Sequence, residues 1–76
     1  MGTKNNPGAF DCYENAEPDE PMFVLLARDR RAPGLVEQWA TRYIDSFAVV
    51  TDEHRAKAQE ARDCANAMRA WRDNER

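Results

Sequence analysis

The sequence has no long apolar run and few of the residues on which catalytic and metal sites depend. Among 76 residues there are three glycines, two cysteines and one histidine. Since no run of 18 apolar residues occurs, no membrane-spanning helix is expected. The cysteines and the histidine do not assemble a zinc site at the usual spacing, and three glycines leave no glycine-rich phosphate loop. We therefore expect neither a metal nor another cofactor.

A signal sequence is also missing from the N-terminal residues, which have no apolar core. This predicts a cytoplasmic protein, in which Cys12 and Cys64 stay reduced. We interpret both cysteines as small apolar packing residues, and leave open whether they ever pair.

The charge is modest overall but unevenly distributed. The formal net charge is −3, which makes a nucleic-acid partner unlikely. Residues 1–27 hold one lysine against five acidic residues, whereas residues 28–31 hold three arginines and one aspartate. An acidic N-terminal arm therefore meets a small basic cluster.

The length allows one small domain. A chain of this size buries only about 60% of its unfolded surface and is marginally stable alone, so oligomerisation is a common solution. Residues 1–9 are rich in Gly, Asn and Pro and are predicted to be a flexible leader. Residues 10–76 are predicted to form a single helical domain, and the fold class is all-α.

Two stretches show the spacing of apolar residues that is typical of amphipathic helices. In the first, at about residues 30–47, these residues are Val36, Trp39, Ala40, Tyr43, Ile44 and Phe47. In the second, at about residues 51–74, they are Ala58, Ala61, Cys64, Ala65, Met68 and Trp71. We expect the two stretches to form an antiparallel helical hairpin that self-associates through the alanine-rich second helix.

Candidate N-caps precede each helical element. Asp11 is predicted to cap a short turn, with Phe10 and Tyr13 folding onto the body. Asp29 is the predicted N-cap of the first long helix, with Pro33 in its first turn, where a missing N–H costs little. Thr51 or Asp52 is predicted to cap the second. Residues 48–50, between the long helices, are expected to form a short apolar connection packed onto the body.

Six apolar residues in a row, residues 22–27, follow Pro21 and precede the basic cluster. The sequence offers no second run of similar length to pair with, and a lone strand is not stable. Asp19 as N-cap and Pro21 in the first turn favour a short helix or turn over residues 19–28, with extended chain as the alternative. We expect this element to cover the hairpin and to be buried on several sides.

The residues that most often act in catalysis occupy structural positions, so the protein is not expected to be an enzyme. Cys64 lies on the apolar stripe of the second helix, and His54 lies in its first turn, where it is expected to face solvent. The adjacent carboxylates at residues 19–20 and 52–53 lie at predicted helix starts, where such residues usually cap the helix or interact with its dipole.

The basic cluster is the most suggestive polar feature, and we name Arg28, Arg30 and Arg31 the arginine cluster. Guanidinium groups bind phosphate and carboxylate through paired hydrogen bonds. One interpretation is a site for a small anion or nucleotide, shared between subunits. The favoured interpretation is a set of internal ion pairs with acidic residues of the N-terminal arm, namely Asp11, Glu17, Asp19 or Glu20.

Trp39, Tyr43 and Trp71 are large side chains for so small a domain. Their expected role is packing in the core or at a subunit interface. A binding anchor is the alternative, since Trp, Tyr and Arg dominate interface hot spots. With Arg42 and the arginine cluster, they complete the set of candidate binding residues.

The stretch PDEPMFVLLARD at residues 18–29 begins a pattern that continues through Ala32, Pro33, Val36, Trp39 and Ala40. This pattern resembles that of small proteins encoded by tailed phages and prophages. Near the end of the chain, Ala67, Met68 and Trp71 resemble the terminal Ala-Met-x-x-Trp of the same group. The resemblance covers about residues 12–72 and diverges over residues 46–56. It implies a viral protein of the host cytoplasm, and transfers no catalytic residue because that group has no assigned chemistry.

The favoured hypothesis is a non-catalytic protein that binds a host defence or regulatory protein and inhibits or modulates it. One alternative is the sequestration of a nucleotide or cyclic nucleotide by the arginine cluster and an aromatic ring. Another is a small structural or DNA-associated accessory protein, which the acidic net charge disfavours.

Overall fold

The computed structural model describes residues 1–74, which form three helices and no strand. α1 spans Cys12–Asn15, α2 spans Ala32–Asp45 and α3 spans Asp52–Asn74. The predicted all-helical class is confirmed, and both long helices lie within about two residues of their predicted bounds. The end of the predicted domain, residues 75 and 76, lies outside the described residues. Within residues 1–74, no helix is both long and apolar enough to cross a bilayer.

α1 is a single turn that forms where the N-terminal arm supplies a capping carboxylate. Asp11 Oδ1 accepts hydrogen bonds from the backbone N–H groups of Tyr13 and Glu14, at 3.1 and 3.4 Å. The prediction that Asp11 caps a short turn is confirmed. Tyr13 is nevertheless 80% exposed, so it does not fold onto the body as expected.

α2 begins without the predicted cap. Arg31 occupies the N-cap position and its side chain makes no capping hydrogen bond. The Asp29 carboxylate instead accepts from the backbone N–H of Arg31 at 2.9 Å and from Arg31 Nε at 3.2 Å. The prediction of Asp29 as N-cap is therefore wrong, because a local Asx turn takes up its side chain ahead of the helix. Pro33 lies in the first turn, as predicted.

α3 begins with a reciprocal cap. Thr51 Oγ1 accepts a hydrogen bond from the His54 backbone N–H, and the Thr51 N–H donates to His54 Nδ1, each at 3.2 Å. This is capping-box geometry, with histidine in the place usually held by Glu or Gln. Thr51, one of the two predicted caps, is thus confirmed. The expectation that His54 faces solvent is wrong, because its ring stacks on Phe47 with centroids 3.6 Å apart.

Residues 46–51 connect α2 to α3 over the protein surface. Val49 is 77% exposed and Ala48 is exposed as well. The expected packing of residues 48–50 onto the body is therefore wrong, since only Val50 of these three is half-buried. The Ser46 hydroxyl donates to the Tyr43 carbonyl at 2.6 Å and ends α2 before the connection begins.

α2 packs against α3 through small side chains that we name the alanine seam: Ala40, Ala58 and Ala61, all 0% exposed. Within residues 1–74, no large side chain is fully buried. Val36, Tyr43 and Ile44 pack around the seam and are half-buried. Three alanines of α3 are buried inside the chain and three are exposed, so self-association through this helix stays a prediction.

An exposed ion pair also links α2 to α3. Arg69 Nη1 and Nη2 donate to Glu37 Oε2 and Oε1, both at 2.8 Å. These hydrogen bonds hold the pKa of Glu37 below its usual range and raise that of Arg69. Each side chain is 43% exposed. Water therefore screens the pair, which orients the two helices more than it stabilises them.

The apolar segment, defined here as residues 22–26, is not helical. A turn precedes it, where Glu20 N–H donates to the Glu17 carbonyl, and another follows it, where Asp29 N–H donates to the Leu26 carbonyl. The predicted helix over residues 19–28 is therefore wrong and Asp19 caps no helix, although turns do form at both ends.

The predicted burial of the apolar segment is also wrong. Phe23 is 87% exposed and Val24 67%, and only Leu25 is half-buried. Pro18 and Pro21 remove two N–H donors and disfavour helical backbone in the residues before them. Phe23 and Val24 border an open groove at the surface and do not enter the core.

Candidate binding surfaces

An aromatic cluster on α2 forms a rigid surface. Trp39 and Tyr43 lie one helical turn apart and stack, with ring centroids separated by 4.8 Å. The Lys57 ammonium of α3 lies 5.3 Å from the Tyr43 centroid and 6.0 Å from those of Trp39 and Phe10. Cation–π attraction at these distances ties the N-terminal arm, α2 and α3 together. Trp39 still exposes 41% of its surface.

The inner side of this cluster is closed by two further rings. Phe47 meets Tyr43 edge-on at 5.0 Å, and His54 contacts both Tyr43 and Phe47. Tyr43, Phe47 and His54 are half-buried as a result. Trp39 is thus the outermost ring of the cluster and stacks on Tyr43, which the other two rings contact. Tyr43 packs against the core, in line with its predicted packing role.

A groove of about 280 Å³ lies between the N-terminal arm, the end of the apolar segment and α3. Its apolar lining includes Leu25, Leu26, Met68 and Trp71, and its cationic residues are Lys4 and Arg28. The groove therefore brings together two of the candidate binding residues, Arg28 and Trp71. Trp39, Arg42 and Tyr43 belong to a different surface, on α2.

A neighbouring groove of about 350 Å³ shares Leu25 and Met68 with the first. Both cysteines line it and both are free thiols. Cys64 is half-buried, whereas Cys12 is exposed. The prediction that both are packing residues therefore fails for Cys12, because α1 lies at the edge of the body.

The arginine cluster does not form one site. Arg31 pairs with Asp29 at 3.2 Å, and the backbone hydrogen bond from Arg31, with the one from its side chain, holds the pKa of Asp29 below its usual range. Within residues 1–74, Arg28, Arg30 and Arg42 form no ion pair. The internal pairs predicted with acidic residues of the N-terminal arm are therefore not formed, because turns separate the two stretches.

Glu60 is a polar contact that the sequence analysis missed. Its carboxylate accepts from the Met1 ammonium at 2.9 Å and from the backbone N–H groups of Ala9 and Phe10 at 2.9 and 3.1 Å. Burial alone would raise the pKa of Glu60, but these three donors together hold it below the usual range. Through these contacts Glu60 holds both ends of residues 1–10 against α3. Residues 1–9 of this stretch are those predicted to be a flexible leader. The sequence signal that could have indicated this contact is the position of Glu60 next to Ala61, where an acidic side chain borders the apolar stripe of α3.

Comparisons with protein-family models, with curated proteins and with solved structures found no match to this chain.

Proposed function

We propose that this is a phage-encoded, non-catalytic protein of the host cytoplasm that binds a host protein and thereby inhibits or modulates it. In this proposal α2 and α3 form an antiparallel hairpin that serves as the scaffold. The aromatic cluster on α2 is the recognition surface, with Trp39 as its anchor.

One observation carries the proposal: the Trp39 ring is held in place by its neighbours and is still exposed. Its ring is stacked on Tyr43 and lies beside the Lys57 ammonium, yet 41% of its surface faces solvent. A side chain that is ordered before association loses little conformational entropy on binding. Arg42 is exposed on the same helix, and Trp, Tyr and Arg supply most interface hot spots.

Replacing Trp39 by alanine should abolish capture of the host protein. The experiment is a pull-down from host lysate followed by mass spectrometry, with the tag at the C-terminus because the N-terminal ammonium is bound to Glu60. A titration with the purified partner should then show affinity lowered about 30-fold, the effect of losing a hot-spot tryptophan.

Trp71→Ala is the matched control, because Trp71 is 48% exposed and lies on the other long helix. It should leave affinity within about twofold, and circular dichroism should show both variants folded. Equal binding by wild type and Trp39→Ala, or loss of binding only in Trp71→Ala, would contradict the proposed surface.

A second candidate function, nucleotide sequestration, is supported by the groove that places Lys4 and Arg28 beside Trp71. Its volume of about 280 Å³ lies near the lower end of small-molecule sites, which favours a mononucleotide. Calorimetry against a nucleotide panel should then give heat that Arg28→Ala and Trp71→Ala remove and Trp39→Ala retains. Because the two tryptophan variants respond in opposite ways, they distinguish the two functions.

A further inference from the structure

The sulfur-bearing side chains are concentrated in one groove. The sequence has two cysteines and three methionines. Four of these five residues line the groove of about 350 Å³ and are named here the sulfur cluster: Met1, Cys12, Cys64 and Met68. The fifth, Met22, does not belong to the lining. Neither of the two functions proposed for this protein gives the thiols of the sulfur cluster a role.

α3 contributes two members of the sulfur cluster from one face of the helix. Cys64 and Met68 are four residues apart, which makes them neighbours on the helix surface, with Cβ atoms about 5 to 6 Å apart. Both are half-buried and both line the groove. The backbone of α3 therefore fixes the spacing between one thiol and one thioether.

The N-terminal arm brings Cys12 to the same groove. The Phe10 N–H donates to Glu60 Oε2 at 3.1 Å, and Glu60 lies one helical turn before Cys64. The arm is thus held against α3 two residues before Cys12, whose backbone conformation is set by the Asp11 cap of α1. Because the two cysteines are far apart in sequence, no local motif predicts that they share a groove.

Both thiols are available as ligands. Within residues 1–74 neither cysteine forms a disulfide. Cys12 is exposed and gives an ion an entry from solvent, whereas Cys64 and Met68 are half-buried. The lining also includes the apolar side chains of Leu25 and Val36, which limit the access of water to an ion bound there.

The donor atoms select the class of metal. Thiolate and thioether sulfur are soft ligands that suit Cu(I), whereas Mg²⁺, Ca²⁺ and Mn²⁺ prefer oxygen. Among residues 1–74, no three His, Cys, Asp or Glu side chains are grouped so that they could hold a metal ion, and this excludes the four-ligand site of structural zinc there. Asp11 also lines the groove, but its carboxylate already accepts from two backbone N–H groups of α1. Sulfur is therefore the ligand that this groove offers.

We propose that Cys12, Cys64 and Met68 bind one Cu(I) ion in this groove, through two thiolates and one thioether. The thiol protons pass to solvent on binding, and copper stays Cu(I), so the step needs neither an oxidant nor a reductant. Met1 is the fourth sulfur of the same groove. The bound ion joins α1 to α3.

The test is a titration of the reduced protein with Cu(I) under anaerobic conditions, in competition with a chromophoric Cu(I) chelator. Native mass spectrometry should show one ion on one chain. Cys12→Ser and Cys64→Ser should each lower the affinity at least about 100-fold, and Met68→Leu about tenfold. Met22→Leu makes the same change at the methionine outside the groove, and its affinity should stay within about twofold of wild type. Leucine replaces methionine at nearly constant volume, and circular dichroism checks that each variant keeps its helices.

Three results overturn the proposal. The first is two ions per chain, with each single-cysteine variant keeping one ion at unchanged affinity, because the thiols then bind separately. The second is an ion that bridges two chains, which native mass spectrometry reads directly from the mass of the complex. The third is equal affinity of Met68→Leu and Met22→Leu, which removes the thioether from the site.

Discussion

Replacing Glu60 by glutamine should lower the free energy of unfolding by about 2 kcal/mol, the cost of removing the charge from a hydrogen-bonded, partly buried carboxylate. The Glu60 side chain is only 20% exposed and accepts from three donors of the N-terminal arm. Met1 packs against the core cluster, so releasing the arm also exposes apolar surface. For a domain of this size the melting temperature should fall by about 10 °C.

The control for this variant is Glu14→Gln, the same chemical change at an exposed residue of α1. It should alter the melting temperature by no more than about 2 °C. Acetylation of the Met1 amine removes the other charge, and its effect should not add to that of Glu60→Gln, because both break one contact. Full additivity would show that Glu60 and the Met1 amine stabilise the fold independently and not through one contact.

The same contact predicts a pH dependence of stability. Because the folded-state pKa of Glu60 is lowered from its ordinary value of 4.5, its stabilising contribution is present above that value. It is lost as the pH falls through the lowered pKa. Chemical denaturation of wild type and Glu60→Gln should therefore differ fully at pH 7 and converge as the pH falls below 4.5 and through the lowered pKa. A constant difference across this range would contradict the assignment.

Enlarging Ala61 to leucine should cost about 3 kcal/mol or more. Ala61 is 0% exposed and lies in the alanine seam, so a larger side chain must push α2 away from α3. Overpacking a close-packed contact usually costs about 1 to 3 kcal/mol. Here no larger residue of the core is available to compensate, because within residues 1–74 no large side chain is fully buried.

Ala70→Leu is the matched control, because Ala70 lies on the same helix and is exposed. Ala and Leu have similar helix propensities, so this variant should melt within about 2 °C of wild type. Urea denaturation followed by circular dichroism measures both. If Ala61→Leu is as stable as Ala70→Leu, the seam is looser than the burial of its alanines indicates.

The two long helices could be predicted because local chemistry defines them. Apolar spacing places the stripe from Val36 to Ile44 on one face of α2, and Thr51 lies three residues before the N–H that it caps. Of the candidate binding residues, Trp39 and Tyr43 could be placed together for the same reason, since residues four apart share a face. Lys57 and Phe10, which complete that surface, come from elements far apart in sequence.

The sequence by itself therefore determined the helical class, the bounds of α2 and α3 to within about two residues, the Asp11 cap, Thr51 as one of two candidate caps, and the small residues along α3. Only the tertiary structure decided where the N-terminal arm and the apolar segment lie. A seam of alanines brings α2 and α3 together, and Phe23 and Val24 lie outside it, at the edge of a surface groove. The same packing brings Glu60 within reach of the Met1 ammonium, a contact between residues 59 positions apart in the chain that no local pattern encodes.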